Sequence, residues 1–256
     1  MAPDPQRYIR NHLLNTKSLP VSELWLSQFL STQRVGVTPL PALTQTALFR
    51  LLASDFTRSL TIPVSSSNQL LPVDISSPNF KERRIPGPVP VQVLDIEDIG
   101  SSVWSQVEAM ERVERGETIR GREVIRTVPQ AAEADEGAST NTAGESGRQA
   151  ANSGAAANAG SEQTRPGGPH RLVLQDAKGT KMIAIELKPL ETIIIGDTAI
   201  GTKLLLTNAT VARGMALLEP ACVTILGGKI GALDREWKAG RKDRLLSILN
   251  PPTDTD

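Results

Sequence analysis

Between residues 88 and 100 the apolar side chains alternate as Val89, Val91 and Val93, and then the parity shifts to Leu94 and Ile96. Alternation predicts a strand with one buried face. The shift predicts a bulge or sharp bend that re-aims the side chains partway along. The next convincing strand begins only near residue 170. Structureless connections longer than ~12–15 residues inside a domain are commonly functional or disordered, so what hangs from this strand is the main question the chain poses.

Before that strand the periodicity is helical. Pro5 can open a first helix with Tyr8, Ile9, His12 and Leu13 on one stripe. After Pro20, Ser22 is placed to cap a second helix with Leu24, Trp25, Phe29 and Leu30 inward. Leu43, Ala47, Leu48, Leu51 and Leu52 form a third stripe that ends near Asp55 and Thr57. Residues 1–60 thus read as a three-helix bundle. A helical DNA-binding module is the alternative, but the second and third helices carry few basic residues, chiefly Arg34 and Arg50. Residues 61–88, rich in Pro, Ser and Asn, read as a linker rather than core.

After Gly100, Val103, Trp104, Val107 and Met110 recur at helical spacing. Ile119, Val124, Ile125 and Val128 then alternate with Arg120, Arg122 and Arg126. From residue 129 to 169 the chain is dominated by Ala, Gly, Ser, Asn and Thr, which bury too little apolar surface to order themselves. Residues 101–170 are therefore an insertion whose first part can engage a partner and whose second part is a disordered tether. Trp104 among valines and arginines needs cover, from its own domain or from another protein.

Strands then resume. Residues 172–174 and 182–187 form a hairpin around Asp176-Ala177-Lys178-Gly179, with Ile183, Ile185 and Leu187 on one face. Residues 190–200 link onward with room for a turn or two of helix. A fourth strand holds Leu204-Leu205-Leu206, Arg213-Gly214 turns the chain into 215–218, and Val223-Thr224-Ile225-Leu226 completes the fifth. A closing helix carries Ile230, Leu233, Trp237, Leu245 and Ile248, with Gly240 weakening its middle. The reading is α+β: an N-terminal three-helix bundle, then a five-stranded OB-fold β-barrel over 89–250 with a long insertion after its first strand and a C-terminal helix, then a tail at 251–256.

Composition narrows the function. Lys+Arg and Asp+Glu are both 28, so no global field recruits nucleic acid or an anionic membrane. No apolar run approaches the ~20 residues that span a bilayer, and the N-terminus does not read as a secretory signal; a soluble intracellular protein is expected. Cys222, the only cysteine, excludes an intramolecular disulfide and reads as a small buried residue on a strand. No phosphate-binding, dinucleotide or nucleophile-elbow motif occurs, and Asp95, Glu97 and Asp98 read as a solvated strand end rather than a metal cluster. No cofactor and no catalysis are expected. Single-strand binders of the OB-fold stack bases on aromatics, worth ~1–3 kcal/mol per base. From residue 89 onward the aromatics are Trp104 and Trp237, neither on a barrel strand. Protein binding is the better use of this barrel. Weak, salt-dependent DNA contacts through Lys178, Lys181, Lys203 and Arg213 are one alternative; a generic adaptor working through the helical bundle is another.

The segments Gly201-Thr202-Lys203-Leu204-Leu205-Leu206, Arg213-Gly214-Met215-Ala216-Leu217-Leu218-Glu219-Pro220 and Val223-Thr224-Ile225-Leu226-Gly227-Gly228-Lys229-Ile230 resemble the RecQ-mediated genome instability protein 1 family. The resemblance covers roughly residues 5–250, and the single barrel is similar to the short fungal forms. It implies a non-catalytic nuclear subunit of a complex with type IA topoisomerase III and a RecQ-family helicase, which dissolves double Holliday junctions and meets DNA junctions mainly through the complex. It further implies that the barrel docks on the topoisomerase while the insertion reaches its gate. By position, the partner-binding residues are then Val103, Trp104, Val107, Ile119, Arg120, Arg122, Val124 and Ile125.

Overall fold

The computed structural model describes residues 4–33, 38–62, 68–116, 119–120, 123–124 and 168–250. The chain divides into a body, residues 1–108 and 166–256, and a second unit, residues 109–165. Four helices precede the sheet: α1 (Pro5–Lys17), α2 (Glu23–Ser31), α3 (Leu40–Leu52) and the single turn α4 (Phe56–Ser59). Asp4 caps α1 and Asp55 caps α4 through their side chains, each accepting a backbone N–H of the first turn. Asp55 and Thr57 therefore begin a fourth helix, which the expected three-helix bundle lacks. Ser22 precedes α2 but makes no side-chain cap; its N–H instead donates to Ser59 O at 2.9 Å, beside a Val21–Leu60 bridge. The inner face of α2 also shifts: Leu26 and Phe29 are buried, whereas Leu24 is exposed.

The strands are β1 (Glu82–Ile85), β2 (Val89–Asp98), β5 (His170–Asp176), β6 (Lys181–Glu186), β7 (Lys203–Leu206), β8 (Ala209–Ala212), β9 (Met215–Leu218) and β10 (Val223–Gly227), and all of them join one mixed sheet. Its order is β1-β8-β9-β6-β5-β2-β7-β10, with the β6–β9 pair parallel. The sheet curls because β7 and β8 are consecutive in the chain yet sit near opposite ends of that order, joined at a corner where Asn208 takes a positive φ of 54°. Asn is among the few residues that tolerate this conformation. Among the described residues the sheet has eight strands where five were expected. The segment read as a linker supplies β1, and its Leu70, Leu71, Ile75 and Ile85 are buried; the short spacing of apolar residues between prolines hid them. Residues 209–212, assigned to no strand of their own, form β8. The link from β6 to β7 folds as turns rather than helix.

The parity shift in β2 is a bulge: Val93 pairs with Leu174 and Asp95 with Val173, leaving Leu94 without a partner. The face of β6 that carries Ile183 and Ile185 is the outward one. Met182, Ala184 and Glu186 point inward, and Leu187 is exposed. Cys222 is half-buried in the turn before β10 rather than on a strand. Two apolar cores result, one inside the sheet around Val91, Leu174 and Leu204, the other among the helices around Ile9, Leu43 and Phe56. The closing helix divides at Gly240 into α6 (Gly231–Ala239) and α7 (Arg241–Leu249).

The second unit contains the end of α5 (Val103–Glu114) and a two-stranded hairpin, β3 (Ile119–Arg120) with β4 (Glu123–Val124).

Candidate protein-docking surface at the root of the insertion

The insertion leaves and re-enters the sheet at one point. Asp98 pairs with His170 at the last register position of β2 and β5. Beyond it the Asp98 Oδ1 accepts the N–H groups of Gly100 (2.8 Å), Ser101 (3.0 Å) and Gly168 (3.2 Å), so one carboxylate ties both ends. Burial works to raise the Asp98 pKa, but bonds from Ser101, Gly100 and Gly168 outweigh it and hold the carboxyl below its ordinary value. Gly100 and Gly168 meet backbone to backbone: a Cβ on Gly100 would lie 2.4 Å from the Gly168 Cα. Asp98 is therefore a clasp, not a solvated strand end, and Gly168 and Pro169 of the expected tether are held by it and by the Ile99 N–H to Pro169 O bond of 3.0 Å.

From this root α5 starts at Ser102, whose Oγ accepts the Ser105 N–H at 3.1 Å. Gln106 Nε2 donates to the carbonyls of Asp98 and Ser101, both at 3.1 Å, fixing the first turn against the strand end. Val107 is buried and Val103 half-buried, whereas Trp104 keeps 67% of its surface exposed. An indole of that size left open on an anchored helix is a ready anchor for another protein. Ile119, Arg120 and Val124 lie on the hairpin of the second unit, where Ile119 pairs with Val124. Arg122 and Ile125 lie outside the described residues, as do the expectations for 129–167 and 251–256.

A second apolar surface lies on the outward face of the sheet. Val173, Ile183 and Met215 are successive register partners across β5, β6 and β9, and Ile185 pairs with Leu217 beside them. These side chains are half-buried to exposed. Sequence alternation placed Ile183 and Ile185 on one face of β6 but could not say which face is inward, because both faces of that strand carry apolar residues.

Lys178 on the β5–β6 turn, Lys181 at the start of β6 and Arg213 on the β8–β9 turn are exposed near one end of the sheet, which the parallel β6–β9 register brings together. Lys203 does not join them; its inclusion as a DNA contact is corrected by its complete burial. Its Nζ donates to Gln92 Oε1 (3.1 Å) and Gly201 O (2.8 Å) and lies 4.8 Å from the centre of the Phe56 ring. Burial pushes its pKa down to about 7, with Asp55 acting in the opposite direction. Gln92 is the hub of this network. Its Oε1 also accepts the Phe56 N–H (3.0 Å), and its Nε2 donates to Asp55 Oδ1 (2.8 Å) and Gln175 Oε1 (3.0 Å). The one sequence signal was a glutamine between Val91 and Val93, which alternation treats as merely outward.

Two comparisons bear on this arrangement. Residues 71–241 match the family model for the RMI1 N-terminal OB-fold domain, and residues 13–59 match that for the RMI1 N-terminal helical domain. The chain is 30% identical over 221 residues to RecQ-mediated genome instability protein 1 of Schizosaccharomyces pombe, covering 85% of each chain. The OB-fold match runs from the segment before β1 through α6 and spans the insertion and both apolar surfaces, so the chain belongs to the RMI1 family, that of RecQ-mediated genome instability protein 1.

Proposed function

We propose that this chain serves genome stability as a non-catalytic, nuclear subunit of a complex between a RecQ-family helicase and a type IA topoisomerase III, stimulating strand passage in the dissolution of double Holliday junctions. Family membership supports the tie to RecQ-mediated processes. The observation that carries the docking role is Trp104, 67% exposed on a helix whose first turn is fixed to the sheet by Gln106 and Asp98. A loop on a rigid body biases an opening gate only by contacting one state better than the other; a differential of ~1.4 kcal/mol shifts that equilibrium about tenfold.

The test is co-purification with the same organism's type IA topoisomerase, followed by decatenation. Full chain is compared with Trp104→Ala and with a chain in which residues 101–169 are replaced by a short turn, which the adjacent ends at Asp98 and His170 allow. A stoichiometric complex with faster decatenation, lost on deleting the insertion, supports the reading. No complex at micromolar concentration sinks it. The gathering of Lys178, Lys181 and Arg213 favours a DNA-contacting alternative, whose signature is binding by the lone chain that falls steeply with salt.

A further inference from the structure

The two faces of the sheet carry the same kind of side chain but not the same cover. Along β5, β6 and β9 the inward positions Leu172, Leu174, Met182, Ala184, Ala216 and Leu218 are each at most 1% exposed. The outward positions between them are apolar as well. Val173, Ile183 and Met215 form one cross-strand row, Ile185 and Leu217 the next, and Leu187 follows just beyond the end of β6. Met215 keeps 38% of its surface exposed and Leu187 58%, while the other four are half-buried. Strands that are apolar on both faces belong to sheets covered on both faces. Among the described residues only the inner layer is complete.

The two ends of this apolar stripe differ in charge. Beside Leu187, Lys188 is paired with Glu219 at 3.0 Å, and at the β5 border Arg171 is paired with Glu97 at 2.7 Å. At the opposite end Lys178, Lys181 and Arg213 are exposed and form no ion pair among the described residues; Arg213 donates to Pro78 O at 3.1 Å. The carboxylates on the turns and strands that meet there are Asp74, Asp176 and Glu82. Asp74 is taken up by Arg83 through two bonds of 2.6 and 2.9 Å. Asp176 is fully buried on the inward face, accepting the N–H groups of Leu71, Lys178 and Thr180, and stays charged. Glu82 stands opposite Ala212 on the edge strand β1, next but one to Arg84, which bonds only the Asn208 amide at 3.2 Å. Lys178, Lys181, Arg213 and Arg84 thus face two unpaired carboxylates, one of them on the far side of the sheet, and the end is left positive. An apolar centre with a charged rim is the anatomy of a protein interface.

We infer that this outward sheet face is a docking site for an amphipathic helix of a partner protein, whose aliphatic side chains lie on Ile183, Ile185, Met215 and Leu217 while an acidic end meets Lys178, Lys181 and Arg213. A helix suits the face better than a strand. The stripe crosses the middle of the sheet, away from the edge strands β1 and β10, so no free backbone groups are there for an added strand to pair with. The cations at one end fix the direction in which the helix lies. Nucleic acid is a poorer fit: β5, β6, β8 and β9 carry no Phe, Tyr or Trp on which a base could stack, and phosphates meeting the cations would leave the stripe uncovered. The inference goes beyond the topoisomerase reading and does not depend on it, because it concerns a surface other than Trp104 and is tested on the lone chain.

The experiment titrates the full chain with two labelled synthetic helical peptides carrying leucines at i, i+3, i+4 and i+7, one ending in glutamates and the other in lysines. Affinity is read by fluorescence anisotropy, and an oligothymidine serves as a nucleic-acid probe. Isotope-labelled methionine methyl groups report the place: Met215 lies on the face, and Met182, 1% exposed, lies beneath it as the control. The acidic peptide binds saturably and moves the Met215 methyl resonance more than that of Met182. Met215→Asp weakens it at least about tenfold; should that variant fail to fold, Leu187→Asp at the more exposed position carries the same test. Lys178→Glu with Lys181→Glu, both at exposed side chains, weakens it similarly and makes the lysine peptide the better ligand, a reversal that structural damage would not produce. Equal affinity for both peptides, affinity unmoved by these variants, an unmoved Met215 methyl, no peptide binding, or tighter oligothymidine binding through the same lysines would each overturn the proposal. So would binding that appears only once residues 101–169 are replaced by a short turn, or self-association of the chain that Met215→Asp abolishes, since the face would then belong to the insertion or to a second copy.

Discussion

Gln92 and Asp95 stand on either side of the bulge at Leu94, yet the polar chemistry around them is finished to different degrees. Around Gln92, the donors and acceptors of Lys203, Asp55, Phe56 and Gln175 close on one another beneath α4. Around Asp95, three carboxylates, two arginines and a row of aliphatic side chains face an open groove. A buried network with every member satisfied rigidifies and specifies a fold. Apolar side chains facing an open groove are instead available to another molecule. The bulge separates these roles by changing which face each half of the strand presents.

The largest effect expected from breaking the finished side is at the hub. Gln92→Ala orphans the Phe56 N–H and removes one of the two acceptors of Lys203, and should lower stability by about 2–4 kcal/mol in urea unfolding. An unchanged midpoint would show that Gln92 is dispensable. Lys203→Met sharpens the same point through pH. The folded-state pKa of Lys203 is depressed to about 7 from 10.5, so between those values the unfolded chain binds more protons. The native protein should therefore gain stability relative to Lys203→Met as pH rises from about 7 toward 10, and the difference should be flat below about 6. On the open side, Trp237→Phe removes the bond to Asp95 and should cost about 1–2 kcal/mol, read by thermal unfolding. The smallest stability effect belongs to Trp104→Ala, within about 0.5 kcal/mol, because the indole is largely in water. Under the docking proposal that same variant weakens the topoisomerase complex about tenfold or more by calorimetry. A large loss of stability at Trp104 with no loss of binding would erase the distinction between the two sides.

Much of this was legible in the residues themselves. Ile9 and Leu13 of α1, the α3 stripe, the bulge in β2 and the pairing of β5 with β6 follow from side-chain periodicity, a local property of the chain; Tyr8, expected on the α1 stripe, is exposed instead. The insertion follows from composition and spacing, whereas whether Trp104 packs on its own domain was open until the structure left it 67% exposed. Harder positions were those where local pattern is ambiguous: β1 among prolines, β6 with apolar residues on both faces, and Leu26 in place of Leu24 on α2.

What only the tertiary structure decided is which polar residues are partnered. Lys203 reads in sequence as a basic strand end, yet residues distant along the chain, Phe56 and Gln92, enclose it. Asp98 reads as a solvated acid, yet Gly168 returns to it from the far end of the insertion. Trp237 reads as helix core, yet it meets Asp95 and two arginines at the edge of a groove. Periodicity reports which side of its own element a residue occupies. What stands opposite depends on contacts between distant segments, and for buried charge and hydrogen bonding that opposing group decides whether a residue builds the fold or remains available to a partner.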